Sequence, residues 1–205
     1  MSRFIQNKVP LANPEATLVR RQDMSAQSRH FDPAKTNIFL VGMRASGKTT
    51  VGRLLARSLE MRFVDTDEQV ASQAGRDIAG IVATEGWEAF RRLESEILKR
   101  VCAERGQVVA TGGGIVLAPE NQGLILESGT TFYLMADIPT LLKRLNADPA
   151  TAQRPPLSGL PLDQELIQTN MQRGPLYMSL ADHILRTEDT LENIGRDALD
   201  KLGVA

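Results

Sequence analysis

GMRASGKT, residues 42–49, is the most informative run of the amino-acid sequence. It fits the pattern G-x-x-x-x-G-K-[ST], in which glycines let backbone N–H groups surround the phosphates of a nucleotide. The apolar run 38–41 before it is typical of a buried strand, and after it apolar residues recur at helical spacing, at Val51, Leu54, Leu55 and Leu59. A strand, this loop and a helix whose N-terminus faces an anion predict a nucleotide-binding site.

The loop and the start of the following helix supply the predicted nucleotide contacts. We expect these contacts from Gly42, Met43, Arg44, Ala45, Ser46, Gly47, Lys48, Thr49 and Thr50. The Lys48 ammonium would reach the β- and γ-phosphates, and the Thr49 hydroxyl would ligate Mg²⁺. Such a loop specifies a nucleotide but no particular reaction. The guanine-reading tetrapeptide N-K-x-D is missing from the sequence, which favours ATP over GTP.

Composition excludes several other classes of protein. The 205 residues include 24 Lys and Arg against 25 Asp and Glu, which argues against nucleic acid or an anionic membrane as the main partner. Two histidines and one cysteine, Cys102, are too few for a zinc site of several His and Cys residues or for an intramolecular disulfide. No apolar run is long enough to span a bilayer, and the amino end lacks a secretory signal, so we expect a cytoplasmic protein.

The chain divides at about residue 36. Residues 1–35 contain six basic and three acidic residues and prolines at positions 10, 14 and 33, so we expect a flexible extension. A regulatory or contact role is the alternative. Residues 36–205 are expected to form one domain. The pattern predicts strands at 38–41, 62–64, 107–110, 130–136 and 183–186, which alternate with helices such as 85–104. This alternation predicts an α/β fold with a parallel sheet that is covered on both faces.

Two carboxylates follow the second predicted strand. Asp65 and Asp67 alternate on what reads as extended chain, so they should project the same way, with Thr66 opposite. The ligand crevice of a parallel sheet lies at the carboxyl ends of its strands, so both carboxylates would face the phosphates. Like charges this close need a cation or hydrogen-bond donors, which Mg²⁺ beside Asp65 and substrate hydroxyls at Asp67 would provide. A solvated turn is the alternative.

An arginine and three glycines indicate where an acceptor could bind. Arg91 borders the apolar face of the predicted helix 85–104, and Glu94 lies one turn away, where it could orient the guanidinium for a substrate carboxylate. An exposed salt bridge would give the same spacing. The glycines 112–114 end the third predicted strand, where bare backbone would let a substrate ring approach. A tight turn explains them as well.

In their order along the chain, these motifs resemble those of the shikimate kinase family from about residue 37 to residue 187. The resemblance rests on six motifs, which are the loop 42–49, F-x-D-x-D at 63–67, G-W-x-x-F-R-x-x-E at 86–94, the triple glycine 112–114, Gln153-Arg154-Pro155, and Arg173 before Pro175-Leu176-Tyr177. It implies a three-layer α/β/α fold of the P-loop kinase type with a five-stranded parallel sheet, a helical substrate-binding region at about 67–104 and a mobile lid at about 146–162. It also implies a monomer.

The resemblance implies an activity as well. ATP and shikimate would be the substrates and Mg²⁺ the cofactor, and the 3-hydroxyl of shikimate would be phosphorylated in a step of aromatic amino-acid (chorismate) biosynthesis. Lys48 and Arg154, the latter in the lid, would neutralise charge on the transferred phosphoryl group, and Arg144 would lie near the adenine. Asp65 would lie by Mg²⁺ and the reacting hydroxyl. Because neither histidine belongs to a motif, Asp65 is also the candidate base.

The remaining family residues would bind shikimate. Asp67 would contact its hydroxyls, Arg91 and Arg173 its carboxylate, and Gly112, Gly113 and Gly114 would supply backbone contacts. Two departures from the family pattern concern the nucleotide side. Ala45 replaces a glycine that many members have, and the run R-P-P-L at 154–157 differs from the commoner R-P-L-L within a lid of the longer type, on which the assignment of Arg144 depends.

Two rival functions stay open at the level of sequence. Another small-molecule kinase of this fold, such as one that acts on gluconate, would not need Arg91 paired with Arg173 for a rigid carboxylate. A regulatory module that binds ATP without transferring phosphate would not need the acceptor residues at all.

Overall fold

The computed structural model describes residues 31–147 and 157–204 of the chain. Strands and helices alternate through these residues. Their bounds are β1 (Asn37–Val41), α1 (Lys48–Ser58), β2 (Arg62–Asp65), α2 (Thr66–Ala74), α3 (Ile78–Ala103), β3 (Gln107–Ala110), a short 3-10 helix (Ile115–Leu117), α4 (Pro119–Ser128), β4 (Gly129–Met135), α5 (Ile138–Ala147), α6 (Leu162–Leu180), β5 (His183–Arg186) and α7 (Leu191–Leu202). Each strand lies within about a residue of its predicted position.

The strands form one parallel sheet in the order β2-β3-β1-β4-β5. The central strand β1 is buried along its whole length, as its continuous apolar sequence predicts. In register, Ala110 pairs with Leu40 on one side and with Asp65 on the other. The loops that follow β1, β2 and β3 therefore emerge side by side at the carboxyl edge of the sheet, where parallel sheets bind ligands.

Alternate residues of the strands pack into two separate cores. Phe39 and Val41 contribute to one core with residues of α2 to α6, among them Phe90 and Tyr177. Ile38 and Leu40 contribute to the other, together with residues of α1 and α7 and with Phe31, which is 8% exposed. Helices thus cover both faces of the sheet, which confirms the predicted three-layer α/β/α fold with five parallel strands.

The segment 65–67 differs from its predicted conformation. The extended chain ends at Asp65 and α2 begins at Thr66, so Asp67 lies in the first helical turn. The reason is local, because the Asp65 side chain accepts hydrogen bonds from the backbone N–H groups of Asp67 and Glu68 and thereby caps the helix. The argument that the two carboxylates project together from an extended chain was therefore wrong.

Two further features bear on the sequence predictions. The predicted helix 85–104 is the second part of α3, which is interrupted at Gly86, where φ is +80°. Cys102 is buried, as expected for a small apolar side chain. Within residues 31–147 and 157–204, no helix combines the length and the apolar character that crossing a membrane would require.

Candidate active site

The loop 42–49 has the backbone geometry of an anion cradle. A side chain at Gly42, where φ is +146°, would place Cβ 2.5 Å from the carbonyl oxygen of Leu134. Gly47 is the N-cap of α1 and adopts φ +94°. As a glycine it has no side chain that could cap the first N–H groups of the helix. The first N–H groups of α1 are therefore directed, with the positive end of the helix dipole, at the space that the loop surrounds.

Ala45 has the positive φ that its glycine-like position predicts. Its φ is +60°, which costs an L residue about 1–2 kcal/mol relative to the right-handed region. Its carbonyl oxygen accepts a hydrogen bond of 3.2 Å from Nη1 of Arg144, which also donates to the Thr187 hydroxyl at the same distance. The side chain of Arg144 thus joins the phosphate loop to the end of β5.

Lys48, Thr49 and Asp65 form the polar floor of this cradle. Lys48 Nζ donates to the carbonyl oxygens of Gly42 (3.0 Å) and Met43 (2.7 Å). The Thr49 hydroxyl donates to Oδ2 of Asp65 at 2.9 Å, while Oδ1 of Asp65 accepts from the Asp67 N–H at 3.0 Å. Both oxygens of Asp65 are therefore engaged with the loop helix and with the start of α2.

The donor set at Thr49 and Asp65 fits a nucleotide-bound Mg²⁺. Among residues 31–147 and 157–204 there is no group of three or more His, Cys, Asp and Glu that could hold a metal ion. Magnesium at nucleotide sites needs no such cage, because it takes one or two protein oxygens and completes its shell with phosphates and water. One hydroxyl and one carboxylate in contact meet that need.

The triple glycine lies against charged side chains of the neighbouring helices. A Cβ at Gly112 would overlap the carboxylates of Glu94 and Asp67, and one at Gly114 would overlap the Arg91 guanidinium. The Gly112 N–H donates to the buried Thr66 hydroxyl at 2.9 Å. Close approach, not an unusual φ, is thus the reason for glycine at positions 112 and 114.

Arg91 is oriented by a buried carboxylate. Its Nη1 lies 2.5 Å from Oε2 of Glu94, which is only 1% exposed, and its guanidinium lies over the rings of Trp87 and Phe90. Burial raises the pKa of Glu94 from 4.5 to about 7, against the opposing effect of Arg91. The fully exposed salt bridge that the sequence left open is thereby ruled out, since the carboxylate of the pair is shielded from water and the Arg91 side chain is only partly exposed.

Arg173 of α6 contacts the middle glycine of the three. Its Nη1 donates to the Gly113 carbonyl oxygen at 3.2 Å, and the Tyr177 hydroxyl donates to the same oxygen at 2.5 Å. Burial lowers the pKa of Arg173 and raises that of Tyr177 above its ordinary value. Arg173 Nε and Glu94 Oε1 are buried without a hydrogen-bond partner in the described part of the chain. A polar ligand could satisfy these atoms.

Two pockets open at this edge of the sheet and share part of their walls. The larger, about 1230 Å³, lies over the phosphate loop and extends past Arg144 to Thr187 and α7. The smaller, about 630 Å³, contains Arg91, Glu94, the three glycines and Arg173. The residues that line both pockets are Arg44, Asp67 and Gly113. A group bound in one pocket would therefore lie next to a group bound in the other.

The structure brings most of the predicted site residues together. Among the nucleotide residues, Lys48, Thr49, Thr50, Asp65 and Arg144 line the larger pocket. Arg154 and most of the predicted lid lie outside the described residues. Asp65 does not line the smaller pocket, whereas Asp67 lines both.

Among the polar residues of the site that sequence reasoning missed are Thr66 and Glu165. Both are buried, at 0% and 3% exposure. Thr66 was assigned to the far side of the chain, and Glu165 resembles any acidic residue in the first turn of a helix. A motif search gives no signal for either residue, because their roles depend on contacts with distant segments.

Comparisons with known proteins agree with this geometry. Residues 44–202 match the family model for shikimate kinase. Shikimate kinase 2 of Enterobacter sp. (strain 638) is 48% identical over 157 residues, which cover 77% of this chain and 90% of that protein. Shikimate kinase 2 of Syntrophotalea carbinolica is 46% identical over 165 residues, with 80% and 95% covered.

A solved structure extends the agreement to three dimensions. Shikimate kinase from Acinetobacter baumannii, in complex with shikimate, matches with a TM-score of 0.76 at 31% sequence identity, over 80% of this chain and 91% of that one. The family model alone covers well over half of the residues, and the relatives are matched over nearly their full length. The chain belongs to the shikimate kinase family.

Proposed function

We propose that this chain transfers the terminal phosphoryl group of ATP to the 3-hydroxyl of shikimate, which yields shikimate 3-phosphate and ADP. One observation carries the proposal: the phosphate-loop pocket and the pocket of Arg91 and Arg173 meet at Arg44, Asp67 and Gly113. Phosphoryl transfer depends mainly on alignment and on charge neutralisation, and two adjoining pockets provide the alignment.

The loop residues act on the nucleotide. The N–H groups at the start of α1 bind phosphate oxygens, and Lys48 turns from the carbonyl oxygens of Gly42 and Met43 toward the transferred group. Thr49 and Asp65 would hold Mg²⁺, which would neutralise charge on the phosphates. Arg144, which lines the larger pocket, would lie near the adenine. Arg154, which lies outside the described residues, would add a further positive charge at the phosphates.

The two arginines act on the acceptor. Arg91 lies against Gly114 and Arg173 donates to the Gly113 carbonyl oxygen. Both arginines line the smaller pocket together with apolar residues such as Ile78 and Phe90. A guanidinium in such surroundings binds a carboxylate with two parallel hydrogen bonds, and these are stronger than they would be in water. The carboxylate of shikimate, held on a rigid ring, matches this pair.

The contacts of the two aspartates support different tasks for them. Both oxygens of Asp65 are occupied by Thr49 and by the N–H groups that it caps, and Asp65 lies outside the acceptor pocket. Asp67 lines both pockets. We therefore revise the expectation from sequence. Asp67 contacts the reacting hydroxyl and accepts its proton, whereas Asp65 helps to hold Mg²⁺.

A coupled assay of ADP release tests the proposed function. We expect release that depends on shikimate and saturates with its concentration, together with shikimate 3-phosphate as product. Parallel reactions with gluconate, with no acceptor, and with GTP in place of ATP serve as controls. Equal rates with gluconate would favour the rival kinase, and ATP binding without any turnover would favour the regulatory module.

A further inference from the structure

Glu165 is a buried carboxylate that the roles proposed so far do not use. It lies in the first turn of α6 and is 3% exposed. An acidic residue there is ordinarily explained by the helix dipole, which favours negative charge at exposed N-termini as well. The dipole gives no reason for burying the carboxylate, and a buried charge requires partners.

The partners of Glu165 come from two other segments of the chain. Its Oε1 accepts a hydrogen bond from Arg44 Nη2 in the phosphate loop. Its Oε2 accepts from the backbone N–H groups of Leu157 (2.9 Å) and Ser158 (3.0 Å) and, at 3.4 Å, from the Ser158 hydroxyl. One carboxylate thus joins the loop after β1, the chain at 157–158 and helix α6.

Two of these partners form walls of the acceptor pocket. Arg44 lines both pockets, and Leu157 lines the smaller one. From α6 itself, Thr169 and Arg173 line the same pocket. The contacts of Glu165 therefore fix the relative positions of three separate segments around one ligand-sized space.

We propose that Glu165 is a positioning residue for the acceptor pocket, which orders Arg44 and Leu157 before the acceptor binds. The proposal rests on the proposed function only for the identity of the acceptor. Without the carboxylate, binding would have to order the Arg44 side chain and the backbone at Leu157, and that loss of conformational freedom weakens affinity by about tenfold.

Glutamine cannot replace this carboxylate, because each side-chain hydrogen-bond partner of Glu165 within the described residues is a donor. Arg44, the two backbone N–H groups and the Ser158 hydroxyl all point their hydrogens at Glu165. The amide of glutamine has one acceptor oxygen, and its NH₂ group would oppose one set of donors. Aspartate keeps the charge and both acceptors on a shorter side chain, so it should restore part of the effect.

Steady-state kinetics of Glu165→Gln and Glu165→Asp test the proposal. We expect the KM for shikimate to rise about tenfold in Glu165→Gln while the KM for ATP changes less than threefold, and Glu165→Asp to recover part of the loss. A smaller folded fraction would lower the apparent kcat but could not raise one KM selectively. Glu104→Gln, at the exposed ion pair with Arg62, is the matched control and should resemble the parent chain. An unchanged KM for shikimate in Glu165→Gln would overturn the proposal.

Amide hydrogen exchange of the parent chain gives a second test. It requires neither enzymatic activity nor a variant that folds correctly. The N–H groups of Leu157 and Ser158 donate to Glu165, so we expect both to exchange at least tenfold more slowly than unstructured chain. Exchange at the unstructured rate would contradict the proposed ordering. If the parent chain did not phosphorylate shikimate, the proposed function would fail while the exchange result would still stand.

Discussion

The two pockets of this site are built in different ways. The nucleotide pocket relies on the contiguous run 42–49, whose backbone N–H groups and glycine conformations provide the binding surface. The acceptor pocket contains charged side chains that are up to 129 positions apart, from Arg44 to Arg173. Of these side chains, Glu94 and Arg173 are buried, and Glu94 forms an ion pair with Arg91. A backbone site is encoded locally, whereas a site of buried charges depends on every partner. Substitutions should therefore affect the two pockets differently.

The largest effect should come from Lys48, the side chain of the loop 42–49 that acts on the transferred phosphoryl group. Lys48→Ala removes the cation that reaches the transferred phosphoryl group, so we expect kcat to fall by about 10³-fold. The backbone cradle stays, so the KM for shikimate should change little. Lys35→Ala, at an exposed lysine paired with Asp32, is the control. Near-normal turnover of Lys48→Ala would show that the cradle alone suffices.

Asp67, which lines both pockets, and Asp65 should give the next largest effects. In Asp67→Asn we expect kcat to fall by about 10²-fold, because the amide cannot accept the hydroxyl proton. Asp65→Asn should keep its helix cap, since asparagine caps as well as aspartate, and should instead raise the Mg²⁺ concentration needed for half-maximal rate. Titrating Mg²⁺ and measuring kcat for both variants distinguishes the two. If Asp65→Asn lost kcat and Asp67→Asn instead required more Mg²⁺, Asp65 would be the base, as the sequence predicts.

Within the acceptor pocket, the more buried arginine should matter more. Arg173 is 8% exposed, and the Arg91 side chain is 27% exposed. We expect the KM for shikimate to rise about 10²-fold in Arg173→Ala and about tenfold in Arg91→Ala, with the KM for ATP within twofold of the parent value. Arg92→Ala, next to Arg91 but exposed and paired with Glu88, is the control. Equal loss in all three variants would point to a general effect on folding.

A smaller effect concerns stability and pH. Burial raises the pKa of Glu94 to about 7 from 4.5, so between these values the folded chain binds more protons than the unfolded chain. The free energy of unfolding should then decrease as the pH rises from about 4.5 to about 7, by up to about 1.4 kcal/mol per pH unit from this group. Urea unfolding of the parent chain and of Glu94→Gln across this range isolates the effect. Parallel pH curves would contradict it.

The same contrast explains what the sequence could predict. The strand, loop and helix around Gly42 to Thr49 were predicted correctly because their conformation follows from adjacent residues. The segment at Asp65 was misjudged because a capping hydrogen bond ended the extended chain one residue after the strand pattern. Glu165 could not be found, since its burial depends on Arg44, 121 positions earlier in the sequence.

Some expectations stay predictions. Arg154 and the greater part of both the lid and the extension lie outside the described residues. The monomeric state, the cytoplasmic location and the absence of nucleic-acid or membrane partners rest on the sequence and on the family resemblance. The described residues instead define the two pockets and the residues that they share.

The most direct test compares two acceptors on the parent enzyme. Measuring kcat/KM for shikimate and for its methyl ester separates the contribution of the carboxylate charge from that of the rest of the molecule. If Arg91 and Arg173 bind the carboxylate, esterification should lower kcat/KM by about 10²-fold, since it removes the charge that both guanidinium groups would neutralise. Equal kcat/KM values for the acid and the ester would contradict the account, because the arginines would then have no part in fixing the acceptor beside the phosphates.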